Sequence, residues 1–381
     1  MEKDEKSKRT DRREFLMASA GLAVAGMIGN FAAPERGRAR GDRARSPFSS
    51  ALAAPRRIIL DTDPGIDDAM AILLTLRSSE LKVEAITPVA GNVPLELTLP
   101  NALRLVEIAG RTDIPVAAGA SVPLVRRLVT ATHAHGENGL GGVEFPAPSI
   151  KPVKETATEI IRRIVRGSPG EISIVAIGPL TNVATALRAD PDLAAMIPAI
   201  VLMGGSLSGG NVTPAAEFNF YVDPEAALIV FHSGIPLTMV GLDVTRKVQL
   251  REEHVVALEA GKNPSSQAAG RIMRSTMERF RKTGFPGGPT MHDPLALASM
   301  IDPEVVTLQD FFVDIETSGE ITAGESVGYR RTPIRKSAPL DSGVGAEAAP
   351  PADEIFKPNA KVAVDVDAER FFRLLISRLT A

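Results

Sequence analysis

Four carboxylates fall within eight residues at Asp61-Thr62-Asp63-Pro64-Gly65-Ile66-Asp67-Asp68. The apolar run Ile58-Ile59-Leu60 leads into them, so Asp61 and Asp63, two apart at a strand end, leave on the same face. Pro64-Gly65 turns the chain, and Asp67 and Asp68 then open a helix, where free N–H groups and the dipole favour anions. So much negative charge needs a positive partner, and no Lys or Arg lies between Arg57 and Arg77. A divalent cation meets that need economically, and all-oxygen ligands select calcium or magnesium over zinc. Two other readings fit the same residues. Asp67 can be a plain helix cap beside a turn containing Asp61 and Asp63. Alternatively, Asp61-x-Asp63 can be the nucleophile pair of an aspartyl-phosphate phosphatase, although Gly65 stands where that motif carries Thr or Val.

The elements that must position these residues alternate along the chain. Strands are predicted at Ile58–Leu60, Val83–Val89, Ile172–Ile177, Ile200–Met203, Leu237–Leu242 and Val362–Val366. Helices are predicted at Asp67–Leu76, Thr156–Val165, Asn182–Arg188, Pro224–His232, Ser265–Arg281 and Ala368–Leu379. This alternation predicts a single α/β domain over 54–381, with a mostly parallel central sheet flanked by helices and ligand chemistry at the strands' carboxyl ends. A Pro/Ala/Gly/Ser-rich stretch at 333–357 reads as a disordered surface loop.

Composition closes off several functions. The 381 residues include no Cys, so disulfides, thiolate metal sites and Cys nucleophiles are excluded. A net charge of -3 gives no global electrostatic pull toward nucleic acid, whose backbone is usually met by a clearly basic face. That charge is uneven: residues 1–53 carry 11 Lys/Arg against 7 Asp/Glu, leaving 32 against 39 in the rest. The basic segment holds Arg12-Arg13, then Phe15-Leu16, then an uncharged Ala/Gly-rich run to Pro34. It resembles a twin-arginine export signal, with an A-x-A-like cleavage site at Ala51-Leu52-Ala53. An Arg-rich stretch from Arg36 to Arg45 precedes that site. The expectation is export to the periplasm or beyond through the twin-arginine translocase; an uncleaved membrane anchor is the alternative.

The body of the chain resembles the inosine-uridine preferring nucleoside hydrolases. Their opening signature, Asp-x-Asp-Pro-Gly-x-Asp-Asp-Ala, stands at Asp61–Ala69. Matches follow in order at Val89–Asn92, His135–Gly139, Gly178–Asn182, Val201–Gly205, Ala216–Asn219, Asp223–Ala227 and His292–Pro294, which together reach from Arg57 to about Gly328.

The resemblance implies calcium-dependent hydrolysis of the N-glycosidic bond of ribonucleosides to free base and ribose. It assigns calcium to Asp63, Asp68, Asp293 and the backbone carbonyl of Ile177, with Asp293 in a distant strand-helix turn. Asp63 would also act as general base on a calcium-bound water. The resemblance gives Asp67, Asn92, Asn211, Glu217 and Asn219 to the ribose, with Met203 packed under the sugar. His292 would protonate the leaving base or stack against it, and its presence favours a broad or pyrimidine-leaning substrate range. The family forms dimers or tetramers, so a homo-oligomer is expected.

The other histidines divide by position. His133 and His135 lie in a Gly-rich loop at the expected substrate entrance, whereas His232 and His254 sit at helix ends and read as structural. The base pocket is expected from the His133 region and from Met277 to Met291, including Phe280 and Phe285. The Gly-rich run Gly204–Gly210 fits no phosphate-binding fingerprint and reads as a flexible active-site loop. Two competing functions remain at this level: an exported nucleoside-binding protein without turnover, and a hydrolase of another N-riboside such as nicotinamide riboside.

Overall fold

The computed structural model describes residues 54–284, 287–329 and 357–381. The expected export segment 1–53 lies outside these residues, as do Phe285 and all of the expected 333–357 loop except Lys357.

The strands are β1 (Arg56–Thr62), β2 (Leu81–Pro88), β3 (Ile172–Ala176), β4 (Ile200–Met203), β5 (Leu237–Val240), β6 (Val306–Ile315), β7 (Ser326–Tyr329) and β8 (Ala360–Val366). They form an 8-stranded sheet in the order β2-β1-β3-β4-β5-β8-β6-β7. β1 to β5 and β8 run parallel. β6 is antiparallel to β8, and β7 is antiparallel to β6. The two antiparallel strands escape the sequence reading, because β6 alternates without a Gly- or Asp-marked end and β7 is short and largely exposed.

The central strands are apolar throughout because both faces are covered. Alternation sends Ile58 and Leu60 into one core, with helices Ile66–Leu76, Pro264–Thr283, His292–Ile301 and Ala368–Thr380. Ile59, Ile172 and Ile174 enter the other, with helices Ala157–Gly167, Thr181–Ala189 and Pro224–Phe231. Helix Ile66–Leu76 is buried on every side, so its leading carboxylates enter the protein rather than water. Helices Leu95–Ile108 and Glu252–Ala260 were not among those predicted.

The strand order fixes where the chemistry sits. β1 pairs with β2 on one side and β3 on the other. The chain therefore reverses its direction of winding at β1, and a crevice opens beyond the carboxyl ends of β1 and β3. Asp63 follows β1 and Ile177 follows β3, joined through the bond from the Ile177 N–H to the Asp61 carbonyl at 2.8 Å.

Candidate active site

A cavity of about 640 Å³ opens at this crevice. Its wall includes Asp67, Asn92, Ile177, Met203, Glu217, Asn219 and Asp293. His133, His135, Thr276, Arg279, Phe280, Lys282 and Thr290 line it as well, with His292, Asn211, Val212 and Phe218. Thr276, Arg279 and Phe280 come from one face of helix Pro264–Thr283 at i, i+3 and i+4. That spacing is available in the sequence, whose expected pocket segment Met277–Met291 holds Arg279 and Phe280 but not Thr276.

Carboxylate oxygens of Asp67, Asp68 and Asp293 lie within 4.8 Å of one another, and all three residues are buried. Asp67 and Asp68 occupy the first turn of helix Ile66–Leu76. Asp293 is the second residue of helix His292–Ile301, so it too opens a helix. Among the described residues, no Lys or Arg ion-pairs with any of the three. Burial and then the Asp68 charge raise Asp67 to about 7. Burial, then Asp67, Asp68 and Asp63, holds Asp293 well above the ordinary aspartate range.

Asp63 is fully buried beside this cluster. Its Oδ2 accepts the Asn92 backbone N–H at 2.7 Å, while its Oδ1 has no hydrogen-bond partner. Burial and then Asp68 raise it well above the aspartate range. Two glycines make room for it. A Cβ at Gly91 would stand 2.1 Å from Asp63 Oδ2, and one at Gly178 would stand 2.6 Å from Oδ1.

Asp68 is the most fully held of the acids. Its Oδ1 accepts from Thr62 Oγ1 at 2.7 Å and from the Asp63 N–H at 3.2 Å. Its Oδ2 accepts from the Gly65 N–H at 3.0 Å and from Asn92 Nδ2 at 2.8 Å. Asp61 accepts from Thr87 Oγ1 and Asn182 Nδ2 at Oδ2. It is no member of the converging trio, and burial raises it to about 7.

Unpaired buried carboxylates, two of them (Asp61 and Asp63) with an orphan oxygen, are poor structural elements without a cation. The donors are all hard oxygens. They fit calcium or magnesium, with Asp63, Asp68, Asp293 and the Ile177 carbonyl as the expected holders and Asp67 close enough to join them.

The polar wall continues through helix Phe218–Val222, which Glu217 caps. Glu217 Oε1 accepts the Asn219 N–H at 2.9 Å and Oε2 the Gly205 N–H at 3.0 Å. Burial raises Glu217 to about 7 against these bonds. Asn219 Nδ2 bridges the carbonyls of Ile177 and Met203 at 3.2 and 3.1 Å, and Asn211 Oδ1 accepts the Phe218 N–H at 3.0 Å. The loop carrying Gly204–Gly210 is tied at several points. Asp243 accepts the Leu207 N–H and the Ser208 hydroxyl, Arg246 donates to the Gly210 carbonyl, and Ser326 accepts the Ser206 N–H.

Two of the cavity histidines, His135 and His292, are held with a depressed pKa. Burial, then the charges of His292, Arg279 and His133, lowers His135 to about 3. Burial and then Arg246 lower His292 to about 4. Of the remaining histidines, His254 stacks on Phe372 at 3.8 Å and His232 meets Asp314 at 2.9 Å, both away from the cavity wall.

Comparison with known proteins places this geometry among relatives. Residues 58–373 match the family model described as inosine-uridine preferring nucleoside hydrolase. The pyrimidine-specific ribonucleoside hydrolase RihA of Citrobacter koseri is 44% identical over 328 residues, covering 84% of this chain and 97% of that protein. A plant nucleoside hydrolase structure aligns with a TM-score of 0.75 at 35% identity, covering 86% of this chain and 99% of that one. The purine-preferring ribonucleoside hydrolase from Gardnerella vaginalis aligns with a TM-score of 0.74 at 32% identity, covering 85% and 98%.

Proposed function

Given that the chain belongs to the inosine-uridine preferring nucleoside hydrolase family, we propose that it hydrolyses the N-glycosidic bond of ribonucleosides in this cavity with calcium as cofactor. The convergence of Asp67, Asp68 and Asp293 at the cavity, with no Lys or Arg ion-paired to them among the described residues, is the observation that carries the proposal.

Asp63, Asp68, Asp293 and the Ile177 carbonyl would hold the cation, with the Asp67 carboxylate beside Asp68 and Asp293. When bound, it supplies Lewis acidity that eases deprotonation of a water. Asp63 takes the proton at Oδ1, the oxygen its neighbours leave free, while the Asn92 N–H fixes Oδ2 and so orients the carboxylate. Asp67, Asn92, Asn211, Glu217 and Asn219 grip the ribose hydroxyls and stabilise the positive charge that develops on the sugar. Met203 supports the ring from below. His292 faces the departing base and assists its departure. The 44% identity to a relative named pyrimidine-specific supports uridine and cytidine as the first substrates.

Purified protein should release ribose from uridine, and chelation or Asp63→Ala should abolish the release. Tight nucleoside binding without turnover would overturn hydrolysis in favour of a binding protein. A panel of uridine, cytidine, inosine and nicotinamide riboside, compared by kcat/KM, tests the substrate class.

The basic N-terminal segment supports export by the twin-arginine route to the periplasm, with cleavage after Ala53. Subcellular fractionation of an Arg12→Lys, Arg13→Lys variant and the mass of the mature N-terminus test this. A dimer or tetramer, read by sedimentation, is the proposed assembly.

A further inference from the structure

Three imidazoles line the cavity, and two of them, His135 and His292, have Nδ1 occupied by a group from the fold. For His135 that group is the backbone N–H of Ile66, 3.0 Å away. An amide N–H can only donate, so the ring proton of His135 sits on Nε2. For His292 the group is Thr245 Oγ1 at 2.8 Å, and a hydroxyl can donate or accept.

The surroundings of Thr245 decide between the two. The residue is fully buried. Thr75, Thr185 and Thr276 turn their hydroxyls to the carbonyl four residues back. The hydroxyl of Thr245 makes no such bond among the described residues. Among the described residues, His292 Nδ1 is the acceptor this hydroxyl has. A proton on Nδ1 would strand the hydroxyl proton in a buried site, which is the costly arrangement. No described residue meets Nε2 of either ring, and both rings border the cavity.

We infer that Thr245 donates to His292 Nδ1 and fixes the ring as its neutral Nε2–H tautomer, making Thr245 a positioning residue for base departure. This deepens the proposed function and rests on His292 facing the base. A neutral imidazole donates a hydrogen bond without giving up its proton. As the C1′–N bond breaks, its electron pair stays with the base, and the Nε2–H of His292 stabilises the charge that develops there. The base then acquires its proton from solvent, which balances the proton that Asp63 removed from the attacking water. His135, held in the same tautomer by Ile66, offers a second N–H donor to the same cavity.

The test pairs spectroscopy with two leaving groups. In the calcium-loaded enzyme with ¹⁵N-labelled histidine, NMR at pH 7 reads the His292 tautomer, assigned by the signals lost in His292→Gln. Wild type should show Nε2–H, Thr245→Ser should keep it, and Thr245→Val should give a mixture or Nδ1–H. Thr245→Val should lower kcat/KM for uridine and inosine roughly tenfold to a hundredfold. It should leave 4-nitrophenyl riboside, whose leaving group is already a stable anion, within about a factor of two, and Thr245→Ser should restore nucleoside turnover. A doubly protonated or Nδ1–H ring in wild type overturns the inference, as does an equal loss on both substrate types. If His292→Gln itself loses no more on nucleosides than on the nitrophenyl riboside, the base-directed role of His292 falls, while the tautomer still reports the Thr245 bond.

Discussion

Asn92 holds Asp63 by two contacts, its backbone N–H to Oδ2 at 2.7 Å and its side-chain amide to the Asp63 carbonyl at 3.2 Å. The same amide reaches Asp68 Oδ2 at 2.8 Å. One side chain thus sets the spacing of two acids proposed to share a cation. Asn92→Ala should weaken calcium binding about 10- to 100-fold, the scale seen when groups orienting metal ligands are removed. Calorimetric titration of calcium checks this, and an unchanged affinity would confine Asn92 to the ribose.

Asp63→Asn keeps the shape of the side chain and removes its capacity to take a proton. The variant should fold as wild type and lose about 10²- to 10⁴-fold in kcat. Comparison of thermal melts with ribose release separates the two effects. Retained turnover would assign the base to another group.

Gly91 and Gly178 lie against the two oxygens of Asp63. Gly91→Ala places a methyl 2.1 Å from Oδ2, where only displacement of the carboxylate or its loop relieves the clash. Loss of calcium binding with a native circular dichroism spectrum is the expected result. By contrast, Gly167→Ala meets nothing within 4 Å and should leave calcium binding unchanged.

Stability without the cation should fall as pH rises. Asp67 and Glu217 stand at about 7 in the folded protein, chiefly through burial. Their unfolded values are about 4. Between these limits the folded state holds protons that the unfolded state has released, so stability declines from about pH 4 to pH 7 and stays low above. Chelated protein should melt at a lower temperature at pH 8 than at pH 5. Calcium should raise the melting temperature more at pH 8, since at pH 5 it must displace protons. A chelated protein more stable at pH 8 would contradict this.

Much of the core and site was readable because it rests on local signals. The apolar runs of β1 to β5 carry the parallel sheet, and the Asp61–Ala69 signature lies within one strand-turn-helix unit. What the sequence withheld depends on tertiary placement. Thr245 looks like any helical threonine until His292 is folded against it. The resemblance gives Asp67 to the ribose, and only the fold brings its carboxylate within 4.8 Å of those of Asp68 and Asp293. Asp61 read as an equal of Asp63, but Thr87 from β2 and Asn182 from helix Thr181–Ala189 draw it into a separate network.

The carboxylate cluster joins the first helix of the described body to the last helix before β6. A growing chain that ends short of Asp293 has no complete trap for the ion, however well its early strands have paired. Hydrolytic competence would thus arrive only once helix His292–Ile301 has been made and packed, so that Asp293 meets Asp67 and Asp68.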